Sequence, residues 1–77
     1  MKINAIDIKP NTYWILKQSE DIYDVVVINE VWPNTLLYSY YRHDNYRSFI
    51  SRRLSIKGFL TCYKPHKILN LLYSLKG

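Results

Sequence analysis

Several things are scarce in this chain of 77 residues, and each scarcity excludes a class of protein. Cysteine occurs once, at Cys62, so no disulfide can close within the chain, which fits a reducing compartment rather than the bridge-stapled design of small secreted domains. Glycine occurs only at Gly58 and Gly77, which rules out a glycine-rich phosphate loop. The soft metal ligands are His43, Cys62 and His66, and the pair Cys62-x-x-x-His66 falls short of the set that holds a structural zinc. No metal or other cofactor is expected. Apolar runs never approach the roughly 20 residues of a bilayer span, so no transmembrane segment is expected. Met1-Lys2-Ile3-Asn4-Ala5-Ile6-Asp7 is too short and too polar for a signal core, and the expected location is cytoplasmic.

Acidic residues are missing from the whole second half. Residues 1–44 carry Lys2, Lys9, Lys17 and Arg42 against Asp7, Glu20, Asp21, Asp24, Glu30 and Asp44, whereas residues 45–77 carry Arg47, Arg52, Arg53, Lys57, Lys64, Lys67 and Lys76 with no acid. The formal net charge of +5 therefore resides in the second half, which points to an anionic partner.

Aromatic residues, by contrast, are plentiful: eight Tyr, two Trp and two Phe. A domain of this size buries only about 60 % of its unfolded surface, so large rings are the economical way to build its core. The organising stretch is a hairpin. Val25, Val26, Val27 and Ile28 are β-branched, Leu36 to Tyr41 is rich in large side chains, and Trp32-Pro33-Asn34-Thr35 between them has the chemistry of a tight turn. With Val31 opposite Leu36, Asn29 faces Tyr38, Val27 faces Tyr40 and Val25 faces Arg42. Period two then gathers Val25, Val27, Val31, Leu36, Tyr38 and Tyr40 on the predicted core side, with Asp24, Val26, Ile28, Glu30, Leu37 and Tyr41 on the other.

Around that hairpin the chain reads in order. Residues 1–9 form a first strand or strap, Lys9-Pro10-Asn11 a turn, Thr12 to Leu16 a short strand, and Gln18 to Asp21 a polar loop. His43-Asp44-Asn45 is a second turn and Tyr46 to Ser51 a further strand. Ser55 caps a short helical turn bearing Ile56, Phe59, Leu60 and Tyr63, which Gly58 weakens and Lys64-Pro65 ends. Pro65 suits the first position of a C-terminal helix whose Ile68, Leu71, Leu72 and Leu75 form an apolar stripe, with Lys67, Asn70 and Ser74 opposite. That stripe is expected to pack on the sheet, the exceptions being homodimerisation or an anionic membrane surface met by Lys64, Lys67 and Lys76. The fold class is thus α+β, one domain over residues 1–77: a small antiparallel β-barrel or curled sheet, a short helical turn, and a C-terminal amphipathic helix.

The order of "IKPNTYW", "YDVVVINEV", "LLYSYY" and "RRLSIKGFLTCY" resembles that of small phage and mobile-element proteins with an SH3-like, or Tudor-like, barrel, over roughly residues 8–65. Asn11 stands where glycine is commoner in that layout, and the helix after Pro65 is additional. The resemblance implies a binding module from a phage-like genome, for which the expected location is the host cytoplasm, and it transfers no functional residue.

Catalysis finds little support. Cys62 has basic neighbours in Lys64 and His66, but no acid nearby in sequence orients His66, and a small core hydrophobe is the simpler reading of Cys62. Glu20, Asp21 and Asp24 read as a solvated loop. The strongest candidate is the run from Tyr40 to Phe49 with Arg52 and Arg53, because arginine binds phosphate and carboxylate bidentately and tyrosine stacks on bases or packs flat on a protein. The expected binding residues are Tyr41, Arg42, Tyr46, Arg47, Arg52 and Arg53, gathered into one exposed patch, and the expected partner is a host protein or nucleoprotein complex, with DNA or RNA as the alternative.

Overall fold

The computed structural model describes residues 8–42 and 50–76, and the side chains only as far as Tyr73. Among the described residues it is an α+β arrangement of five antiparallel strands and two α-helices. The strands are β1 (Tyr13–Leu16), β2 (Val25–Val31), β3 (Thr35–Tyr40), β4 (Arg52–Ser55) and β5 (Tyr63–Pro65), in the sheet order β4-β3-β2-β1-β5. Helix α1 (Ile56–Cys62) joins the two edge strands and α2 (Lys67–Lys76) follows β5. The sheet is open, because β4 and β5 do not pair, but it is strongly curled. Tyr38 of β3 and Tyr63 of β5 have ring centroids 5.8 Å apart, although two strands, or roughly 14 Å of flat sheet, separate them. Helix α1 spans the opening.

Phe59 of α1 fills the concave side. It is fully buried against Trp14 and Tyr38 and stacked on Tyr63, with ring centroids 5.3, 5.7 and 4.7 Å away. Val26, Ile28 and Leu36 complete that core, and Ile8, Leu16, Tyr40, Leu54 and Ile56 pack around it. The Trp14 indole N–H, which burial would orphan, donates to Thr12 Oγ1 at 2.9 Å, and Thr12 in turn donates to the Lys9 carbonyl.

The central hairpin turns at Pro33-Asn34, where the Trp32 N–H donates to the Thr35 carbonyl at 2.8 Å. Val31 does face Leu36, but the register shifts between Ile28 and Glu30, so Ile28 faces Tyr38, Val27 faces Ser39 and Val26 faces Tyr40. The physical reason is a β-bulge at Asn29. One extra residue on β2 inverts the facing of everything before it. The predicted core membership is corrected accordingly: Val26 and Ile28 lie in the core, Val27 turns to the convex side, and Val31 is exposed at the hairpin end. Val25 is buried on the convex side opposite Ile15.

Other boundaries differ as well. The turn at Pro10 is made by Asn11, whose φ of 68° is a left-handed conformation that asparagine tolerates better than most residues, and whose N–H donates to the Ile28 carbonyl. A short 3-10 turn, Ile22–Asp24, enters β2, capped by the Asp21 side chain. Ser55 caps α1 as its position predicts, accepting from the Gly58 N–H at 3.0 Å. Pro65 does not open α2. It ends β5 opposite Trp14, on a sheet edge where its missing N–H costs nothing, and His66 Nδ1 instead accepts the Leu69 N–H at the start of the helix. The predicted strand Tyr46–Ser51 and the turn at His43 fall outside the described residues except for Ile50 and Ser51, which are not in a strand; among the described residues the next strand is Arg52–Ser55. Residues 1–7 of the predicted first strand also lie outside them.

The docking of α2 is the largest departure. The Asn70 side chain accepts the Tyr13 N–H and donates to the Tyr13 carbonyl, both at 2.8 Å. Asn70 thereby extends the β5 edge by side-chain bonds where Pro65 ends it. This anchor turns the polar side of α2 inward, and Ile68, Leu71 and Leu72 are exposed rather than packed on the sheet.

Candidate functional site

Strand alternation decides where the cations go. Arg52 and Arg53 are adjacent on edge strand β4, opposite Tyr38 and Leu37 respectively, and so project to opposite faces. The Arg52 guanidinium lies on the concave side, 5.9 Å from the Tyr40 ring centroid. The Arg53 guanidinium lies on the convex side, 5.7 Å from the Trp32 ring centroid, with Nη1 donating to Thr35 Oγ1 at 3.3 Å. Instead of a single patch there are two cation–aromatic pairs flanking one exposed strand edge.

Tyr41 and Arg42 sit at the far end of β3. Tyr41 is half-buried, its ring 5.5 Å from Tyr13 and its hydroxyl 3.3 Å from that of Tyr73 on α2. Tyr73 in turn meets Tyr13 edge-on at 5.0 Å. Tyr41 is therefore a structural clamp for α2 as much as a surface ring. Arg42 is exposed beside it. Tyr46 and Arg47 lie outside the described residues. Of the six residues singled out in the sequence, the structure thus pairs Tyr41 with Arg42 at one place and sets Arg52 and Arg53 on either side of another.

Trp32 was missed. It is 47 % exposed, the face of its indole taken by Arg53. A tryptophan directly before a Pro-Asn turn lies at a hairpin tip, where little can cover it, and that was the available signal. Tyr73 was missed because its neighbours on α2 are leucines that suggest the opposite docking face.

On the concave side three phenols form an internal network. Tyr63 is hydrogen-bonded to Tyr38 and Tyr40, and its hydroxyl is held well above the ordinary 10.0, first by burial and then by the neighbouring phenols. Burial is also the main cause of the upward shift of Tyr38. For Tyr41 the hydrogen bond to Tyr73 comes first, and for Tyr13 burial does. A phenol whose folded value is raised contributes stability that is complete below the ordinary value of 10.0 and is lost as pH rises toward the folded one. Alkaline titration followed by phenolate absorbance and circular dichroism should therefore show unfolding coupled to the late phenols, beginning above pH 10.0. Smooth ionisation of all tyrosines near the ordinary value, with the fold intact, would contradict this network.

Cys62 is exposed, which corrects the expectation of a core thiol: α1 turns Phe59, not Cys62, inward. Its backbone carbonyl accepts the Lys17 N–H. His66 is spent on its helix-start bond and does not pair with Cys62. Among the described residues no three His, Cys, Asp or Glu side chains converge.

What the fold and surface define is a small curled-sheet domain with a basic, aromatic-lined edge. No known protein family, curated protein or solved structure matches the chain.

Proposed function

We propose that this chain is a non-enzymatic binding protein, a phage-type accessory factor that engages a host protein or nucleoprotein complex in the host cytoplasm. The phage-type origin rests on the sequence resemblance alone. The fold is read as an opened SH3-like barrel: the last strand lies beside the first and a short helix leads from β4 into β5, the order in which such barrels close. The observation that carries the binding role is the edge strand β4, where Arg52 and Arg53 are each held over a ring and both exposed. An arginine supported by a ring loses little freedom on binding, and arginine with tryptophan or tyrosine is the composition of interface hot spots. An edge strand also accepts an extended segment of a partner. Tyr41, Arg42, Tyr46 and Arg47 are retained in the proposed binding set on their sequence alone.

Trp32 favours one second reading, direct DNA or RNA binding, since an exposed indole beside an arginine suits base stacking with a phosphate contact. One comparison separates the two. Arg52→Glu with Arg53→Glu is expected to weaken partner capture from a bacterial lysate by about a hundredfold, with the unfolding midpoint nearly unchanged because both side chains are exposed. Capture that survives the double change sinks the proposal. Gel shifts with single- and double-stranded DNA and RNA that fade steeply with salt would transfer support to the second reading.

A further inference from the structure

Helix α2 is held by one side and offers the other. His66, Asn70 and Tyr73 recur at near-helical spacing and make its contacts with Tyr13 and Tyr41. At 100° per residue, Ile68, Leu71 and Leu72 fall on the opposite side, and they are 67 %, 61 % and 52 % exposed. Three large aliphatic side chains side by side on a convex ridge are an unusual use of surface in so small a domain. Lys67 opens the helix and Lys64 precedes it in β5, both exposed, and residues 45–77 contain no acid.

We propose that this ridge binds an anionic lipid surface, with α2 lying in the headgroup boundary and the sheet above it. The inference is independent of the β4 edge, which uses other residues. The small extent of the ridge and the lysines beside it select the occupant. A second copy would be held by three side chains per copy, far below the roughly 1,000 Å² of a specific interface. A bilayer demands no matching groove. It takes aliphatic side chains at the acyl boundary and lysines at the headgroups together, each lysine strengthening binding about fivefold. Among the described residues no helix is long and apolar enough to cross a membrane, so α2 lies on the surface.

The test is flotation of the full chain with vesicles of phosphatidylcholine alone and of phosphatidylcholine mixed with phosphatidylglycerol, at low and raised salt. The chain is expected to float with the anionic vesicles and far less with the neutral ones. Leu71→Ser with Leu72→Ser should lower partitioning about thirty-fold. Its unfolding midpoint should match the parent, because both positions already face water. Lys64→Glu with Lys67→Glu should erase the preference for anionic lipid. No flotation at low salt, a leucine double variant that floats like the parent, or one that is clearly destabilised would each overturn the proposal. So would sedimentation showing a dimer that the leucine changes dissociate.

Discussion

Phe59→Ala is expected to remove roughly a third or more of the chain's stability and to shift its urea midpoint far down. A domain of this length has a total stability of about 4–12 kcal/mol, at roughly 0.05–0.15 kcal/mol per residue. Truncating a fully buried phenylalanine costs about 3–5 kcal/mol. Phe59 is the side chain that closes the sheet: it touches Trp14 of β1, Tyr38 of β3 and Tyr63 of β5, so its loss opens a cavity bounded on three strands and cannot be filled by one neighbour. Leu60→Ala, one residue on but exposed, should cost less than about 1 kcal/mol. Urea unfolding followed by tryptophan fluorescence reports the pair directly, since Trp14 lies 5.3 Å from the Phe59 ring. Equal midpoints for the two variants would mean that α1 does not plug the opening of the sheet.

Asn70→Ala is expected to release α2. The side chain satisfies both the N–H and the carbonyl of Tyr13, and its Nδ2 also donates to the His66 carbonyl at 3.0 Å. The Tyr13 carbonyl keeps the His66 N–H at 2.9 Å, but the Tyr13 N–H loses its partner. A deserted, partly buried donor plus the lost bonds amounts to about 2–3 kcal/mol. The effect should be local: fast hydrogen exchange at Tyr13 and across residues 69–73, with the Phe59 core still protected. Asn70→Asp is the sharper variant. It keeps an acceptor for Tyr13 N–H but sets a carboxylate against two carbonyls, which raises its folded pKa. The variant should therefore be more stable below the ordinary carboxylate range and lose that stability as pH rises through the raised value. Exchange protection of α2 that is indifferent to both substitutions would show that the tyrosine clamp alone holds the helix.

These two residues were not equally legible. Helical spacing after the Ser55 cap groups Phe59 with Ile56, Leu60 and Tyr63; Phe59 is buried, but Leu60 is exposed and Tyr63 belongs to β5 rather than to the helix. Asn70 was recognised as standing opposite the leucine stripe, yet its role was inverted. A helical wheel separates a polar side from an apolar side; it does not say which one meets the protein. Here the neighbour is the end of a strand with unpaired amide groups, and an amide side chain binds such groups where leucine cannot. The basic surface divides in the same way. Composition placed the cations in the second half, and period two in β4 then sent neighbouring arginines to opposite faces.

Composition and local pattern were enough to establish an α+β domain of β-branched and aromatic strands, the Pro33-Asn34 turn, the Ser55 cap and the uneven distribution of charge, because each of these depends on residues within a few positions of one another. Register, curl and docking were decided only in three dimensions. A single bulged residue at Asn29 exchanged the two sides of β2, ring packing across the concave side bent the sheet until Tyr38 met Tyr63, and an amide pairing 57 positions apart in sequence chose the face that α2 buries. Contacts of that range carry no periodic signature in the chain, since they depend on which backbone groups the completed sheet leaves unpaired.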